Sequence, residues 1–369
     1  MMTIKTRQSC LIACNIYVSA GRPSHQPFLL QLLKNAQELC HRRKKESPDD
    51  QGAVVHAFAD GPYDRSSFHI AGSPSLVSDV VSTFATDAVS SLSAIRQESL
   101  AQDDSTGGNS TPHPTVGLVD HISVLPLAHN DEQYTWQEWF GSSSSDTSKD
   151  EKQIITGRKL PSCAVPSGWV ARAIGHALEE SPIGVDVFFY GHAHHDRVPL
   201  ATVRRESTQF FQSSNNNCRF EKLYGGGQAT VGAPDHFVEN FNIRLTRDCS
   251  TKAAQSLTKC VREKDGGLPF VEALTLKYSQ GRLEVACNLL HPGVTSADDI
   301  VNKVNEWEST QGGRLVEIAY RVGTTRQQCL DALEQTRTRE GEEQFNQDIL
   351  ERFEDYLSAD DASLSSLCT

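Results

Sequence analysis

The sequence predicts an α/β (α+β) fold of two subdomains, each a mixed β-sheet with helices packed on one face. The first observation is that buried-strand composition alternates with helical periodicity over residues 10–127, in the order βαββαβ. This is the split-βαβ or ferredoxin-like order. The second observation is that the same order returns over residues 236–337, without recognisable repetition of sequence. We therefore expect a ligand cleft between the two subdomains.

Apolar patterning places each element of the first unit. In chain order, the elements are a strand over 10–19, a helix capped by Ser24, strands over 52–59 and 66–71, a helix beginning at Pro74 and a strand over 116–127. The first helix ends in the basic run 41–45, which suits the negative end of a helix dipole. Residues 167–180, 184–190 and 200–211 then predict a helix, a strand and a further helix.

The second unit follows the same pattern. Its elements are a strand over 236–245, a helix beginning at Thr251, strands over 270–277 and 283–289, a helix after Thr295, a strand over 314–322 and a helix over 326–337. Thr295, with Asp298 three residues later, predicts a capping box. The residues from Arg339 onward predict an acidic helix that packs onto the body or onto a second subunit. Its apolar stripe is formed by Phe345, Ile349, Leu350, Phe353 and Leu357.

These patterns divide the chain into a first subdomain over 8–235, a second over 236–337 and an acidic helical tail over 338–369. A Ser-rich stretch at about 141–158 interrupts the first subdomain. Because residues 141–152 contain almost no apolar side chain, this stretch cannot bury enough surface to offset the entropy of ordering it. It predicts a disordered insertion.

Composition and charge narrow the class of partner. The chain of 369 residues has a formal net charge of −12, which argues against nucleic acids and acidic membranes as partners. It contains no run of about twenty apolar residues, so no membrane span is predicted. The ten cysteines are scattered, as expected of reduced thiols in a cytoplasmic protein.

The most informative stretch is His113-Pro114, followed by the apolar run 116–127. Pro114 disfavours a helix at His113, so the imidazole should lie on an extended segment at the mouth of a strand. Loops positioned by a rigid sheet often carry active-site side chains, although a surface histidine before a core strand is the simpler alternative. Asp120 and His121 interrupt the run, and the alternation of His121 with Val119 favours a buried structural histidine over the alternative, a catalytic one.

The pattern His113-Pro-x-x-Gly-x-x-Asp120, before an apolar run that ends in Pro126, resembles the formiminotransferase family. Those enzymes move a formimino group from formiminoglutamate to tetrahydrofolate. The Asp-His pair is closer to the stand-alone, plant-type branch without the cyclodeaminase domain. The resemblance implies that His113 is the catalytic residue, that tetrahydrofolate is the co-substrate, and that no metal is needed. It also implies small-molecule partners, folate and a glutamate derivative, and leaves a homodimer open.

Further segments carry the same resemblance. Asp60 and Arg65 match the family's turn in which an Asp precedes an Asn-Arg pair, with Asp64 in place of the Asn. The helix around Arg204 is similar to the family's Leu-x-x-Ile-Arg segment, and residues 218–227 correspond to its Gly-Pro-rich folate segment, of which they keep the glycines and little else. The resemblance therefore implies a set of residues that bind substrate or folate. These are Asp60, Arg65, Asp120, Arg204, Tyr224, Gly225, Gly226 and Gly227.

Two alternatives stay open. The family's Asn-Phe-Ser-Glu-Gly corresponds here to Ile16-Tyr-Val-Ser19-Ala20-Gly21, in which the Glu is missing, so the chain could be a folate-binding relative without transferase activity. The segment Gly191-His192-Ala-His194 follows an apolar strand and resembles the last metal motif of calcineurin-like metallophosphoesterases. The three upstream metal-binding motifs of those enzymes do not occur in the sequence.

Deletion of residues 141–152 should leave the melting temperature nearly unchanged, because the segment has little apolar surface to contribute to a core. Thermal unfolding of the deletion variant beside the full chain measures this. A fall of about ten degrees would show that the segment is packed.

Overall fold

The computed structural model describes residues 10–48, 50–102, 113–127, 164–211 and 225–359. These residues form a six-stranded sheet and a four-stranded sheet. The predicted Ser-rich insertion at about 141–158 and Tyr224 lie outside the described residues.

The six-stranded sheet is built from the first part of the chain. Its elements in order are β1 (Ile12–Val18), α1 (Gln26–Glu46), β2 (Gly52–Asp60), β3 (Arg65–Gly72), α2 (Pro74–Gln102), β4 (Val119–Pro126), α3 (Ala164–Glu179), β5 (Asp186–Gly191), α4 (Leu200–Glu206) and β6 (Gln228–Ala233). The spatial order is β2-β3-β1-β4-β6-β5. The first four strands pair antiparallel, while β6 is parallel to both of its neighbours.

The four-stranded sheet repeats the topology of the first four strands. Its elements are β7 (Glu239–Leu245), α5 (Thr251–Val261), β8 (Val271–Lys277), β9 (Leu283–Leu289), α6 (Ala297–Ser309) and β10 (Val316–Val322), followed by α7 (Arg326–Gln335) and α8 (Arg339–Ser358). The order β10-β7-β9-β8 places the strands of this unit as fourth, first, third and second, and β4-β1-β3-β2 has the same arrangement. All pairs in the second sheet are antiparallel.

Helices α1, α2 and α3 cover one face of the six-stranded sheet, and α5 and α6 cover one face of the four-stranded sheet. Helix α7 packs on part of the other face of the six-stranded sheet, where Cys329 lies in a buried cluster with Ala13 and Ala53. Ile16 of β1 packs with side chains of α1, α2 and α3 in one buried cluster, and Ile243 of β7 packs with α5 and α6 in another. Because strand side chains alternate between faces, the neighbours of Ile16 and Ile243 point the opposite way, and these opposite faces of the two sheets meet. The hydroxyl of Tyr17 in β1 donates to Oδ1 of Asn240 in β7 at 3.0 Å. The predicted fold of two sheets with helices and a cleft between them is confirmed.

Several predicted helix ends are wrong by a few residues. Ser24 does not cap α1, because it lies in a short 3₁₀ turn, Pro23–His25, and α1 then begins at Gln26 without a side-chain cap. The capping box of α6 is formed by Ser296 and Asp299, one residue later than predicted. The hydroxyl of Thr295 instead donates to the Pro269 carbonyl at 2.6 Å. The predicted helix over 200–211 ends at Glu206.

Helix α8 packs back onto the first subdomain, against β2 and α1. Phe353 is fully buried, and its ring meets the ring of Phe68 at 5.3 Å. The carboxylate of Glu342 accepts from Lys44 Nζ at 2.7 Å and lies 3.0 Å from Nδ1 of His41. Helix α8 is thus held to the basic end of α1, as opposite charges favour.

The longest described helices are α1, α2 and α8, with 21, 29 and 20 residues. In α1 and α8, a buried apolar stripe lies opposite a charged face. None of the helices in the described part of the chain is long and apolar enough to cross a membrane.

We expect Phe353→Ala to destabilise the protein by about 3–5 kcal/mol, because the ring is fully buried and its loss leaves a cavity. Chemical denaturation measures the free energy of unfolding. Asp355→Ala, on the exposed face of the same helix, is the matched control and should change stability by about 0.5 kcal/mol or less. A value for Phe353→Ala as small as that of the control would mean that α8 is not part of the cooperative fold.

Candidate active site

A cavity of about 450 Å³ lies between the two sheets. From the first subdomain it is lined by Tyr17, Asp60, Tyr63, Arg65, His113, His121, Arg204 and Phe210, and from the second by Asn240, Asn242 and Asn288. The structure therefore brings together His113, Asp60, Arg65 and Arg204 of the predicted site residues. They come from the end of β2, the start of β3, the segment before β4, and α4.

His113 is held in this cavity by a guanidinium and by aromatic rings. Nη1 of Arg65 lies 2.8 Å from Nε2 of His113 and 3.1 Å from its Nδ1. The rings of Tyr63 and Phe210 meet the imidazole edge-on, with centroids at 5.1 and 6.4 Å. A guanidinium only donates hydrogen bonds, so the imidazole must present a lone pair to it. This contact requires the neutral form of His113.

Electrostatics also favour the neutral form. Burial lowers the pKa of His113 well below its ordinary 6.5, and the positive charges of Arg65 and Arg204 lower it further. At neutral pH the ligand-free imidazole is therefore a base, not an acid. As the pH falls, the imidazole of His113 binds a proton in the unfolded chain before it does so in the folded protein. The buried histidine therefore destabilises the fold below about pH 6.5 and has no such effect above it.

Arg65 is oriented from two sides. Its Nη2 donates to Oδ1 of the buried Asp120 at 2.9 Å, and its guanidinium lies over the ring of Tyr17 at 4.4 Å. Both contacts limit the rotamers of a long side chain, as an ion pair and a cation–π contact do together. Asp120 thus supports Arg65, and it is not among the residues that line the cavity.

The turn before β3 fixes the backbone at this point. Asp60 Oδ1 accepts from the backbone N–H of Tyr63 at 2.9 Å. Asp64 has a positive φ of 50°, a conformation that Asp and Asn tolerate better than most residues. Its carboxylate accepts from the backbone N–H groups of Gly21 and Arg22 at 2.9 and 3.2 Å. The replacement of the family's Asn by Asp64 therefore suits the backbone and ties the turn to the loop after β1.

A β-bulge in β4 places two polar side chains beside the cavity. Tyr17 pairs with His121, but Val18 pairs with Val119, so Asp120 is an extra residue between them. Val119 packs into the helix-covered core, whereas Asp120 reaches the guanidinium on the other face. The alternation predicted from the sequence fails here because a bulge shifts the side-chain pattern by one residue.

His121 consequently stands in the cavity wall. Its ring stacks between those of Tyr17 and Tyr190, with centroids at 5.5 and 5.7 Å. Its Nδ1 lies 3.2 Å from the carbonyl oxygen and 3.0 Å from Oγ1 of Thr230 on β6. Burial, Arg204 and Arg65 lower the pKa of this imidazole well below 6.5, so it is neutral as well.

Arg204 brings a second positive charge to the cavity. Its guanidinium lies over the ring of Phe210 at 4.4 Å. Among the described residues, its Nε has no hydrogen-bond partner, and neither do Nε of Arg65 and Oδ2 of Asp120. Two buried donors, Nε of Arg65 and Nε of Arg204, are therefore available here, and the two guanidiniums outnumber the one carboxylate of Asp120. This is the composition of a carboxylate-binding site.

The three glycines predicted to contact a folate lie immediately before β6. Gly225 and Gly227 have positive φ values of 145° and 76°, and a Cβ on Gly226 would lie 2.5 Å from the Val185 side chain. The carbonyl of Gly226 accepts from the Leu118 N–H at 2.9 Å. Their conformations thus serve the junction of β4, β5 and β6, and they are not among the cavity-lining residues. Their contact with folate stays a prediction, and Tyr224 is outside the described residues.

Sequence reasoning missed a buried polar cluster opposite His113. Oε1 of Glu284 accepts from the Tyr63 hydroxyl at 2.9 Å and from Nδ2 of Asn242 at 2.8 Å, and Oε2 accepts from the Tyr320 hydroxyl at 2.8 Å. Arg244 is fully buried, and its Nη2 lies 2.9 Å from the same Tyr320 oxygen. Burial and the charge of Glu284 raise the pKa of Tyr63 well above 10.

A signal for this cluster exists in the alternation of β7. Phe241 and Ile243 face the helices, while Asn240, Asn242 and Arg244 alternate with them. Three consecutive polar positions on one face of a strand indicate a face that does not pack on an apolar core. The sequence prediction used only the apolar side of this pattern.

The histidine-rich segment after β5 lies elsewhere. His192 Nε2 is 2.7 Å from Oδ1 of Asp235. His194, His195 and Asp196 offer ligand atoms within 4.8 Å of one another, on a turn where the last two are exposed. His194 and His195 line a separate surface groove that shares no lining residue with the cavity.

Comparison with known proteins adds independent information. The family model described as the formiminotransferase domain, N-terminal subdomain, matches residues 11–235. The formiminotransferase cyclodeaminase-like protein of Arabidopsis thaliana is 23% identical over 336 residues, which cover 86% of this chain and 94% of that protein.

Two solved structures are more distant. The periplasmic protease PqqL of Escherichia coli aligns with 99% of this chain at 9% identity and a TM-score of 0.20. The ferredoxin protease FusC, in complex with Arabidopsis ferredoxin, aligns with 97% of this chain at 11% identity and a TM-score of 0.18. The chain spans only 42% and 40% of those two proteins. Scores this low carry no argument about fold or function.

We expect Arg204→Met to raise the pKa of His113, because it removes one of two positive charges that disfavour the imidazolium. The pKa should stay below 6.5, since burial is the larger cause. A pH titration of the ligand-free protein by ¹H–¹⁵N NMR measures it. Arg205→Met is the matched control, with an exposed guanidinium. An unchanged pKa in Arg204→Met, or an equal rise in both variants, would contradict the assignment.

Proposed function

The chain belongs to the formiminotransferase family, and from this premise we propose that it transfers a formimino (or formyl) group between glutamate and tetrahydrofolate, with His113 as general acid and base. Tetrahydrofolate is the co-substrate in this proposal, and no metal takes part. The observation that carries it is the neutral imidazole of His113 in a cavity with two guanidiniums, Arg65 and Arg204. Such a cavity can bind a carboxylate and move a proton in the same place.

The reaction needs one proton to change places. A secondary amine of the folate attacks the formimino carbon, so that a carbon–nitrogen bond forms. The bond from this carbon to the glutamate nitrogen then breaks. The amine loses its proton and the glutamate nitrogen gains one, so a single imidazole can take the first and deliver the second. A neutral His113 is in the form that the first step requires.

Carboxylate binding would change His113 itself. In the ligand-free cavity, Nη1 of Arg65 lies 2.8 Å from Nε2 of His113 and occupies its lone pair. A substrate carboxylate on Arg65 and Arg204 would compete for this donor and offset their positive charges. Both effects raise the pKa of the imidazole from its depressed value. The base would thus become effective when the substrate is bound.

The alternative is a folate-binding relative without transferase activity. Ala20 occupies the position of the family's Glu, and its backbone carbonyl accepts from the Ser66 hydroxyl at 2.6 Å. The side chain at this position is a buried methyl group. If the missing carboxylate is needed for turnover, the cavity would still bind ligand. Net charge −12 favours a small-molecule partner over nucleic acid in both cases, and a homodimer and a cytoplasmic location stay predictions.

We expect His113→Ala to transfer the one-carbon group about 10²- to 10⁴-fold more slowly than wild type, because a general acid and base is lost. Binding of 5-formyltetrahydrofolate, measured by isothermal titration calorimetry, should change only a few-fold. Turnover with formiminoglutamate and tetrahydrofolate gives the rate. His176→Ala, which removes an exposed histidine of α3, is the matched control and should keep the wild-type rate.

Full turnover by His113→Ala would sink the proposed role of this residue. If wild type binds 5-formyltetrahydrofolate and no preparation turns over, the binding-protein alternative replaces the transferase.

A further inference from the structure

The hydrogen bonds around His121 determine its tautomer. Nδ1 lies 3.2 Å from the carbonyl oxygen of Thr230, and a carbonyl oxygen can only accept. The Thr230 hydroxyl, 3.0 Å from the same Nδ1, donates its own proton to the Asp120 carbonyl at 3.2 Å, so it too accepts from the ring. Nδ1 must therefore carry the hydrogen. In the neutral ring, Nε2 is then a bare acceptor.

Nε2 of His121 has no hydrogen-bond partner in the described part of the chain, and His121 is one of the residues that line the cavity. The ring cannot turn freely to bury Nε2, because it is stacked between Tyr17 and Tyr190. The β-bulge at Asp120 sets it on the same face as Arg65. A rigid lone pair at a cavity wall is a preorganised contact for a donor on a ligand.

A glutamate derivative with a formimino group needs an acceptor in its site as well as donors. The guanidiniums of Arg65 and Arg204 only donate, and they suit the carboxylates of a glutamate derivative. The formimino group of the same molecule is an amidine, whose protonated form has only N–H donors. A cavity that binds both ends must therefore offer donors at one point and an acceptor at another.

We propose that His121 is a second substrate-contacting residue, whose Nε2 accepts a hydrogen bond from an N–H of the amidine group. This inference rests on the proposed function and extends it. The substrate's carboxylates would lie on the guanidiniums of Arg65 and Arg204, and His121 would orient the one-carbon group. His113 would move the proton. The competing account is a structural histidine that serves only to join β4 and β6.

Two substitutions separate these accounts. The amide of Asn reaches the position of Nδ1, so His121→Asn can keep the bond to Thr230 and lose the acceptor at Nε2. The amide of Gln reaches the position of Nε2, so His121→Gln can restore the acceptor and lose the bond to Thr230. Glutarate is the matched ligand, since it has both carboxylates of a glutamate derivative and no N–H group.

Calorimetric binding of formiminoglutamate and glutarate to wild type and both variants provides the test. We expect His121→Asn to stay folded, to bind formiminoglutamate about 10- to 100-fold more weakly, and to bind glutarate as wild type does. His121→Gln should recover part of the formiminoglutamate affinity. ¹⁵N NMR of the ligand-free wild type should show an unprotonated Nε2 on His121.

Each contrary result has a distinct meaning. Equal losses for formiminoglutamate and glutarate, unchanged binding in His121→Asn, or a protonated Nε2 would overturn the role of His121 and leave the proposed function standing. If wild type binds neither formiminoglutamate nor 5-formyltetrahydrofolate, the proposed function itself fails and this inference fails with it.

Discussion

The contact between Arg65 and His113 organises the cavity. A buried guanidinium 2.8 Å from an imidazole nitrogen is stable only while the ring is neutral, and Asp120 and Tyr17 keep the guanidinium there. The turn at Asp64, the bulge at Asp120 and the stacking on Tyr17 all restrict the same side chain. Three strands of one sheet thus converge on one charge, because a buried charge needs partners from several directions.

The second sheet meets this arrangement with a polar face. Glu284 receives hydrogen bonds from Tyr63, Tyr320 and Asn242, and the buried Arg244 lies 3.5 Å from it. Such a seam gains little net stability from its ion pair, since desolvation offsets most of the attraction. These polar contacts specify orientation, because the hydrogen bond from Tyr63 to Glu284 fixes how the subdomains meet beside His113. An apolar seam of equal area would not specify that register.

The sequence was sufficient for the topology and for part of the site. Apolar periodicity predicts both βαββαβ units, because alternation in strands and stripes in helices follow from burial. The residues on turns and strand ends, His113, Asp60 and Arg65, follow from local motifs. The partners Tyr63, Glu284 and Arg244 do not, since their contact joins residues more than two hundred positions apart or different strands of the second sheet. Strict alternation along β4 also does not predict the bulge at Asp120.

The ligand-free cavity has more positive than negative charge around Asp120, and this imbalance determines what a bound anion would change. Arg65 pairs with Asp120, whose charge also acts on Arg204. Nε of each arginine lacks a partner among the described residues, and both neutral histidines have lowered pKa values. Each buried donor without a partner costs stability. An anion between the guanidiniums would give these donors an acceptor and would offset the positive charges that lower both histidine pKa values. A ligand carboxylate would therefore do more than anchor a substrate. It would complete the electrostatics of the site, so that stability, proton affinity and binding are coupled through the same two arginines.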